Sequence, residues 1–338
     1  MTKRNFETRQ QTIQVLAQVL SKYEFLLNSY NLDYFVENHW TTNLPQTWQE
    51  SLMNFDKFDI PSLLCPGEST KYVYPLTLLC LRKFSSLIRN FRRISSDKNL
   101  PKELIDNHPE TQLSFSFLNG SHTKLEKISD HILCRKIKLK KRHEIERLCR
   151  VIPPLMSLAD VSHIIDCGSG QGHLDRLLSI IYGYKIHSIE MNCDNVQSAQ
   201  IHDKTALNYL QRLKMTQMQH EDLPTKVNCF LKSGEHIDDA IEAVDEKKVG
   251  KHLLLGLHAC GPLSNLILEQ FATNSNTRAL VLVCCCYMKN GRENFPMSNF
   301  LTERMPFVLS REAKEVACHA IEKFLDKFST NGEYIRIQ

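Results

Sequence analysis

A chain of 338 residues, 42% hydrophobic and 24% charged, has enough apolar material for a sizeable core and too much of it for wholesale disorder; at ~150 residues per domain it holds about two. A net charge of +4 neither demands nor excludes an anionic partner, so the placement of the charges matters more than their sum. The twelve cysteines do not fall at disulfide-framework spacings, MTKRNFETRQQ has no apolar segment after its charges, and no stretch reaches the ~18 apolar residues of a membrane span. The chain therefore reads as an intracellular protein of cytoplasm or nucleus, off the membrane, with reduced thiols.

The first 94 residues predict a helical region. From Arg9 to Tyr30, Ile13, Leu16, Leu20, Tyr23 and Leu27 recur at helical spacing. A short helix with Trp48 and Leu52 follows Pro45. Another is expected from Pro75 to Arg93, with Leu76, Leu79, Cys80 and Phe84 on its apolar side. Residues 95–134 are polar, broken by prolines and weakly periodic, which reads as a linker or insertion. A basic stretch, RKIKLKKRHE, leads into a helix through Ile145, Leu148 and Val151 that is expected to stop at Pro153-Pro154. Residues 135–338 then alternate apolar runs with helical segments. SHIIDCG, KIHSIEM, VNCFLKS, KHLLLGLHA and ALVLVCCCY read as strands. Arg176–Tyr182, Asn192–Leu213, Ile237–Val244, Pro262–Ala272 and Ser310–Phe328 read as helices. Such alternation predicts an α/β fold: a Rossmann-like, doubly wound, mostly parallel sheet with helices on both faces.

The strongest motif is HIIDCGSGQGHLDRLL. A strand ends at Asp166, and Gly168, Gly170 and Gly172 then alternate with Ser169 and Gln171 through a tight turn into a helix near His173. Glycine suits a backbone that must take positive φ and let a ligand approach closely. A dinucleotide site wants G-x-G-x-x-G, and here the third position is His173. The G-x-G-x-G run after an acid resembles the first motif of class I methyltransferases. That resemblance implies that Asp166 and the residues 168–172 hold the methionine and ribose parts of S-adenosyl-L-methionine. Glu190 ends the next strand, where a carboxylate can accept hydrogen bonds from both ribose hydroxyls.

Ligands of such sheets lie beyond the carboxyl ends of the strands. The tips GLHACGPLS and VCCCYMKN should be neighbours there, which would gather His258, Cys260, Cys284, Cys286 and Tyr287. Methyl transfer needs alignment and, for a hydroxyl or ammonium acceptor, proton removal; His258 is the candidate base, or else a loop residue shaping the pocket. Cysteines 284 and 286 are expected on one strand face and Cys285 on the other, packed as small hydrophobes. No C-x-x-C pair supports a metal, so none is expected. The adenine-methylating signature is also missing, with HACG where an Asn/Asp-Pro-Pro-aromatic segment would stand. Arg135, Lys136, Lys138, Lys140, Lys141 and Arg142 could meet phosphates or an import receptor, or form a solvated face.

Taken together, DCGSGQGHLDRLL, KKRHEIERL, GLHACGPLSNLIL, VCCCYMK and SREAKEVACHAIEKF resemble the methyltransferase-like protein 25 family, and LDYFVENHW with LPQTWQESL is similar to its helical N-terminal region. The resemblance implies an S-adenosylmethionine-dependent methyltransferase with a macromolecular acceptor, RNA or protein. The HACG and CCC pair is also similar to that of transfer RNA ribose 2′-O-methyltransferases. A cofactor-binding or RNA-binding scaffold without turnover is the reading from another class. The class I sheet ends in an antiparallel hairpin, whereas STNGEYIRIQ accommodates only one strand, so the full C-terminal hairpin is expected to be lacking. Oligomeric state is not written in the sequence.

Overall fold

The computed structural model describes residues 3–29, 33–55, 73–83, 137–232, 237–243, 250–291, 296–304 and 309–318. The expected linker at 95–134, the tail after 318 with its proposed strand, and the end of the helix from Ser310 lie outside them. The chain divides into two compact units, one made of Met1–Asp97 with Cys286–Gln338 and the other of Lys98–Cys285.

The first unit is helical where described: α1 Lys3–Lys22, α2 Glu24–Leu27, α3 His39–Thr42, α4 Gln46–Met53, a helical run at 76–83, and short helices Asn299–Arg304 and Arg311–Ala317. Tyr23, Trp48, Tyr74 and Leu78 form its buried core. Thr77 holds the polar heads of two of these aromatics, Trp48 and Tyr23. Its hydroxyl accepts the Trp48 indole N–H at 2.8 Å and its carbonyl accepts the Tyr23 hydroxyl at 2.6 Å, which lets both rings be buried without an orphaned donor. The apolar side expected for this helical run is corrected by that arrangement: Leu76 and Leu79 are 76% and 41% exposed and Cys80 is exposed. Tyr74 and Leu78 face inward because they complete the aromatic cluster.

In the second unit the apolar runs form β1 His163–Cys167, β2 Lys185–Glu190, β3 Thr225–Asn228, β4 His252–Leu257 and β5 Thr277–Val283. Every pairing is parallel and the order is β3-β2-β1-β4-β5. The chain runs outward from β1 to β3 and returns to the far side of β1, so strand order reverses between β1 and β4. Helices α5 Leu139–Ala159, α6 His173–Tyr182, α7 Cys193–Arg212, α8 Ile237–Glu242 and α9 Pro262–Thr273 separate the strands. Strand parity splits the apolar residues between two cores. Ile164, Leu253, Leu255 and Leu257 pack with Ile145, Leu148 and Ile152 of α5 and Leu174 and Leu178 of α6. Ile165, Cys167 and Leu254 pack on the other face with Ile237, Ile241, Leu266 and Ile267. This is the doubly wound fold.

Three local expectations fail, the first two for tertiary reasons. The helix expected to stop at Pro153-Pro154 continues through both prolines to Ala159. Proline at 153 has no N–H for the Cys149 carbonyl; the Tyr182 hydroxyl donates to that carbonyl instead, at 3.1 Å. Burial of Ile152, Pro153, Pro154 and Met156 then outweighs the two ladder bonds that the prolines cannot make. The cysteine run does not continue β5. Among the described residues the only strand partner of β5 is β4, and β4 ends at Leu257, paired with Val283. Cys284, Cys285 and Cys286 therefore lie past the strand, half-buried, exposed and half-buried respectively. Strand β3 likewise spans Thr225–Asn228, two residues earlier than VNCFLKS suggested.

Replacing Tyr182 with phenylalanine should cost about 1 kcal/mol, the usual worth of one hydrogen bond. The readout is a lower urea midpoint with an unchanged slope; an unshifted midpoint would mean that the Cys149 carbonyl is already satisfied.

Candidate active site

The glycine turn is built by backbone geometry. Gly168, Gly170 and Gly172 all have positive φ, at 82°, 58° and 65°. The N–H groups of Gly168 and Ser169 both donate to the Ile189 carbonyl, at 2.8 and 3.2 Å, hooking the turn onto β2. Glu190 then clamps it. One carboxylate oxygen accepts the Gly170 N–H and the other the Asn192 N–H, both at 2.9 Å. Asn192 in turn caps α7 through the N–H groups of Asp194 and Asn195. Asp166, Gly168, Ser169, Gly170, Gln171, Gly172 and Glu190 thus belong to one connected piece at the reversal of strand order. A Cβ placed on Gly170 would meet nothing within 4 Å, so the turn opens onto free space.

Beneath the turn lies a buried charge cluster that sequence reading missed. The Lys226 side chain, 2% exposed, lies 3.5 Å from an Asp175 oxygen and 3.3 Å from an Asp203 oxygen, and it donates to the Ser188 hydroxyl at 3.0 Å. Ser188 donates to Asp175. Arg176 donates to Asp203 at 2.7 Å and, from the same guanidinium, to the Gln171 carbonyl of the turn at 3.1 Å. A Cβ on Gly172 would come 2.7 Å from the Lys226 ammonium; the buried lysine is a second reason for glycine there. One sequence signal existed: Asp203 occupies an inward position on α7 among Val196, Ala199, Ala206, Leu207 and Leu210.

Asp166 is 3% exposed and underlies this cluster. Burial, and then the Asp175 carboxyl beside it, push Asp166 well above the usual carboxylate range. The Oδ1 atoms of Asp166 and Asp175 are both covered and lack a donor among the described residues. The shift favours the protonated form of Asp166, which can donate a hydrogen bond where a carboxylate can only accept. At the start of α6, burial and the nearby Arg176 lower His173 to about 4, so it is neutral at pH 7.

At the tip of β4, His258 takes a positive φ of 67° and donates its N–H to the Val283 carbonyl at 2.8 Å. Its Nε2 lies 2.9 Å from a Glu144 oxygen of α5, and its covered Nδ1 has no partner among the described residues. Glu144 was not anticipated, although it stands in the KKRHEIERL run. The tips of β4 and β5 meet as expected, but through Cys260 and Cys285, whose sulfurs are 3.3 Å apart. The Cys285 N–H also donates to the Cys260 sulfur at 3.2 Å. Cys284 donates to the Ala259 carbonyl. Cys286 belongs to the other compact unit, as does Tyr287, which opens a one-turn 3₁₀ helix and is 53% exposed.

The five-stranded parallel sheet, with an acid, a G-x-G-x-G turn and a second acid at its reversal point, has the Rossmann-like fold of class I methyltransferases, and residues 140–292 match the family model described as "Methyltransferase domain". The chain is also similar to "Probable methyltransferase-like protein 25" of Mus musculus, 23% identical over 165 residues, 45% of this chain and 26% of that protein. It is also similar to the Homo sapiens protein of the same description, 32% identical over 62 residues, 18% of this chain and 10% of that protein. The aligned parts thus span about a quarter or less of these relatives' length. No solved structure matches the chain. No helix among the described residues is long and apolar enough to cross a membrane.

Two variants test the charge cluster. Lys226→Met leaves buried carboxylates without their cation and should cost about 3–5 kcal/mol by urea unfolding; a loss below about 1 kcal/mol would show that the carboxyls neutralise themselves at little expense. Asp166 binds its proton more tightly folded than unfolded. Its contribution to stability is therefore complete below the unfolded carboxylate range near ~4 and is lost as pH rises through the folded value. Asp166→Asn should flatten that decline in unfolding measured from pH 4 to 8, and an unaltered slope would assign it to other groups.

Proposed function

We propose that this chain is an S-adenosylmethionine-dependent methyltransferase acting on a macromolecular acceptor, with RNA as the favoured acceptor class. The observation that carries the cofactor reading is the Gly170–Glu190 clamp, which holds an acid beside an open glycine turn at the reversal of strand order. The residues present fit the group. Glu190 retains lone pairs for the ribose hydroxyls, and Gly168, Ser169, Gly170, Gln171 and Gly172 offer backbone close to the ligand. When bound, the cofactor supplies a methyl group on an already activated sulfonium. The chain's own work is then alignment and proton removal.

RNA is favoured by charge placement. Lys138 at the N-cap of α5 and Arg147 within it are exposed, on the helix whose Glu144 reaches His258, so a phosphate backbone can be held beside the site. A ribose hydroxyl is an acceptor that needs a base, and His258 is the candidate. Protein acceptors, and a scaffold role without turnover, are the alternatives that experiment separates. Label from radioactive S-adenosylmethionine should enter total RNA; label confined to protein would reassign the acceptor, and tight cofactor binding with no transfer to either would favour the scaffold.

By calorimetry, Gly170→Arg should abolish cofactor binding, because its side chain fills the open turn at a positive φ. Glu190→Ala should weaken it by about 1.5–3 kcal/mol, the range for hydrogen bonds to a charged acceptor. Normal affinity in either folded variant would move the site elsewhere.

Substituting alanine for His258 should leave cofactor affinity nearly unchanged and slow transfer by roughly 10²–10⁴-fold, with partial recovery at high pH where the acceptor loses its proton unaided. Weakened cofactor binding without pH rescue would instead make His258 a residue that shapes the loop, consistent with its strained backbone.

A further inference from the structure

The N-terminal turns of α5 extend past the sheet. Ile145, Leu148 and Ile152 form its buried stripe, and the helical repeat continues that stripe backwards to Lys141. Glu144, one turn further on, touches His258 at the tip of β4, which fixes this end of α5 at the carboxyl edge of the sheet. Lys141 is half-buried. Its charge acts on Asp166 at the end of β1 and on His173 at the start of α6, the residues that bracket the glycine turn.

Its neighbours are committed elsewhere. Lys140 pairs with Glu144 and Arg142 with Glu146, each four residues on. The residue four beyond Lys141 is Ile145, and Lys141 makes no hydrogen bond or ion pair with any described residue. Arg176 and Lys226, the cations under the turn, are used by Asp203 and Asp175. Lys141 is thus a half-buried cation by the turn that pairs with no carboxylate among the described residues, and a partly buried charge calls for one.

We propose that Lys141 binds the carboxylate at the amino-acid end of the cofactor. This rests on the reading that S-adenosylmethionine lies at the glycine turn, and it adds the group that distinguishes the cofactor's amino-acid end from a plain thioether. The carboxylate leaves water on binding, and a charge-assisted hydrogen bond from an ammonium compensates that loss. Lysine's long stem carries the ammonium from a helix face to the ligand while the stem itself packs against apolar surface.

The test compares S-adenosylmethionine with its decarboxylated form, which keeps the sulfonium and the ammonium, by calorimetry on the full chain. The unmodified protein should bind the decarboxylated form more weakly. Lys141→Met should weaken S-adenosylmethionine roughly ten- to a hundredfold and change the affinity for the decarboxylated form less than threefold, so that the variant no longer discriminates. Lys141→Arg should keep most of the discrimination. Lys141→Gln repeats the comparison should the methionine variant fold poorly. Equal weakening of both ligands, or unchanged affinity for S-adenosylmethionine, would overturn the role of Lys141 while leaving the site intact. An unmodified protein that binds neither ligand would overturn the cofactor reading itself, and this inference with it.

Discussion

The Lys226 ammonium, held between Asp175 and Asp203 beneath the glycine turn, is the constraint on which the rest of the site depends. It joins three elements that are separate in sequence: α6 through Asp175, α7 through Asp203 and β3 through its own backbone. Arg176 extends the same cluster upward to the Gln171 carbonyl, so the charges below and the backbone above are parts of one object. Such a cluster is a weak source of stability once desolvation is counted. Its value lies in specificity: only one packing of α6, α7 and β3 leaves every charge compensated.

The two ends of the turn are secured by different physics. Below, the cluster is buried and set by the pairing of Lys226 and Arg176 with Asp175 and Asp203. At the rim, Glu190 is held by two backbone N–H groups and remains half-buried, where a ligand can reach it. The tip of β4 repeats this division on a smaller scale, with the His258 backbone pinned to Val283 and its ring tied to Glu144. Rigid support beneath a wet rim is the arrangement a binding site on a parallel sheet requires.

Much of this was legible from periodicity and spacing. The strands and most helices follow from apolar runs, and Gly168, Gly170, Gly172 and Glu190 follow from the need for positive φ and a strand-end acid. What was not legible depends on tertiary partners. Lys226 stands just before the run VNCFLKS read as a strand, and nothing local says that it points at two aspartates. Glu144 sits in a charged run, where a solvated glutamate is the ordinary case. Leu78 rather than Leu79 faces inward because Thr77 serves two aromatic heads at once. The end of β5 is decided by where β4 stops, which no property of the cysteines themselves encodes.

The prolines inside α5 bear on time as well as on packing. A helix that passes through Pro153 and Pro154 needs both preceding peptide bonds trans, whereas an unfolded chain holds each X–Pro bond cis in ~10–30% of molecules. A substantial fraction of newly unfolded chains therefore cannot close α5 at once. They must wait for isomerisation over tens to hundreds of seconds at 25 °C, unless a prolyl isomerase assists. Because α5 supplies Ile145, Leu148 and Ile152 to the core on one face of the sheet, that delay falls on the consolidation of the whole face. Those molecules reach the native sheet late, for a reason that leaves no trace once folding is complete.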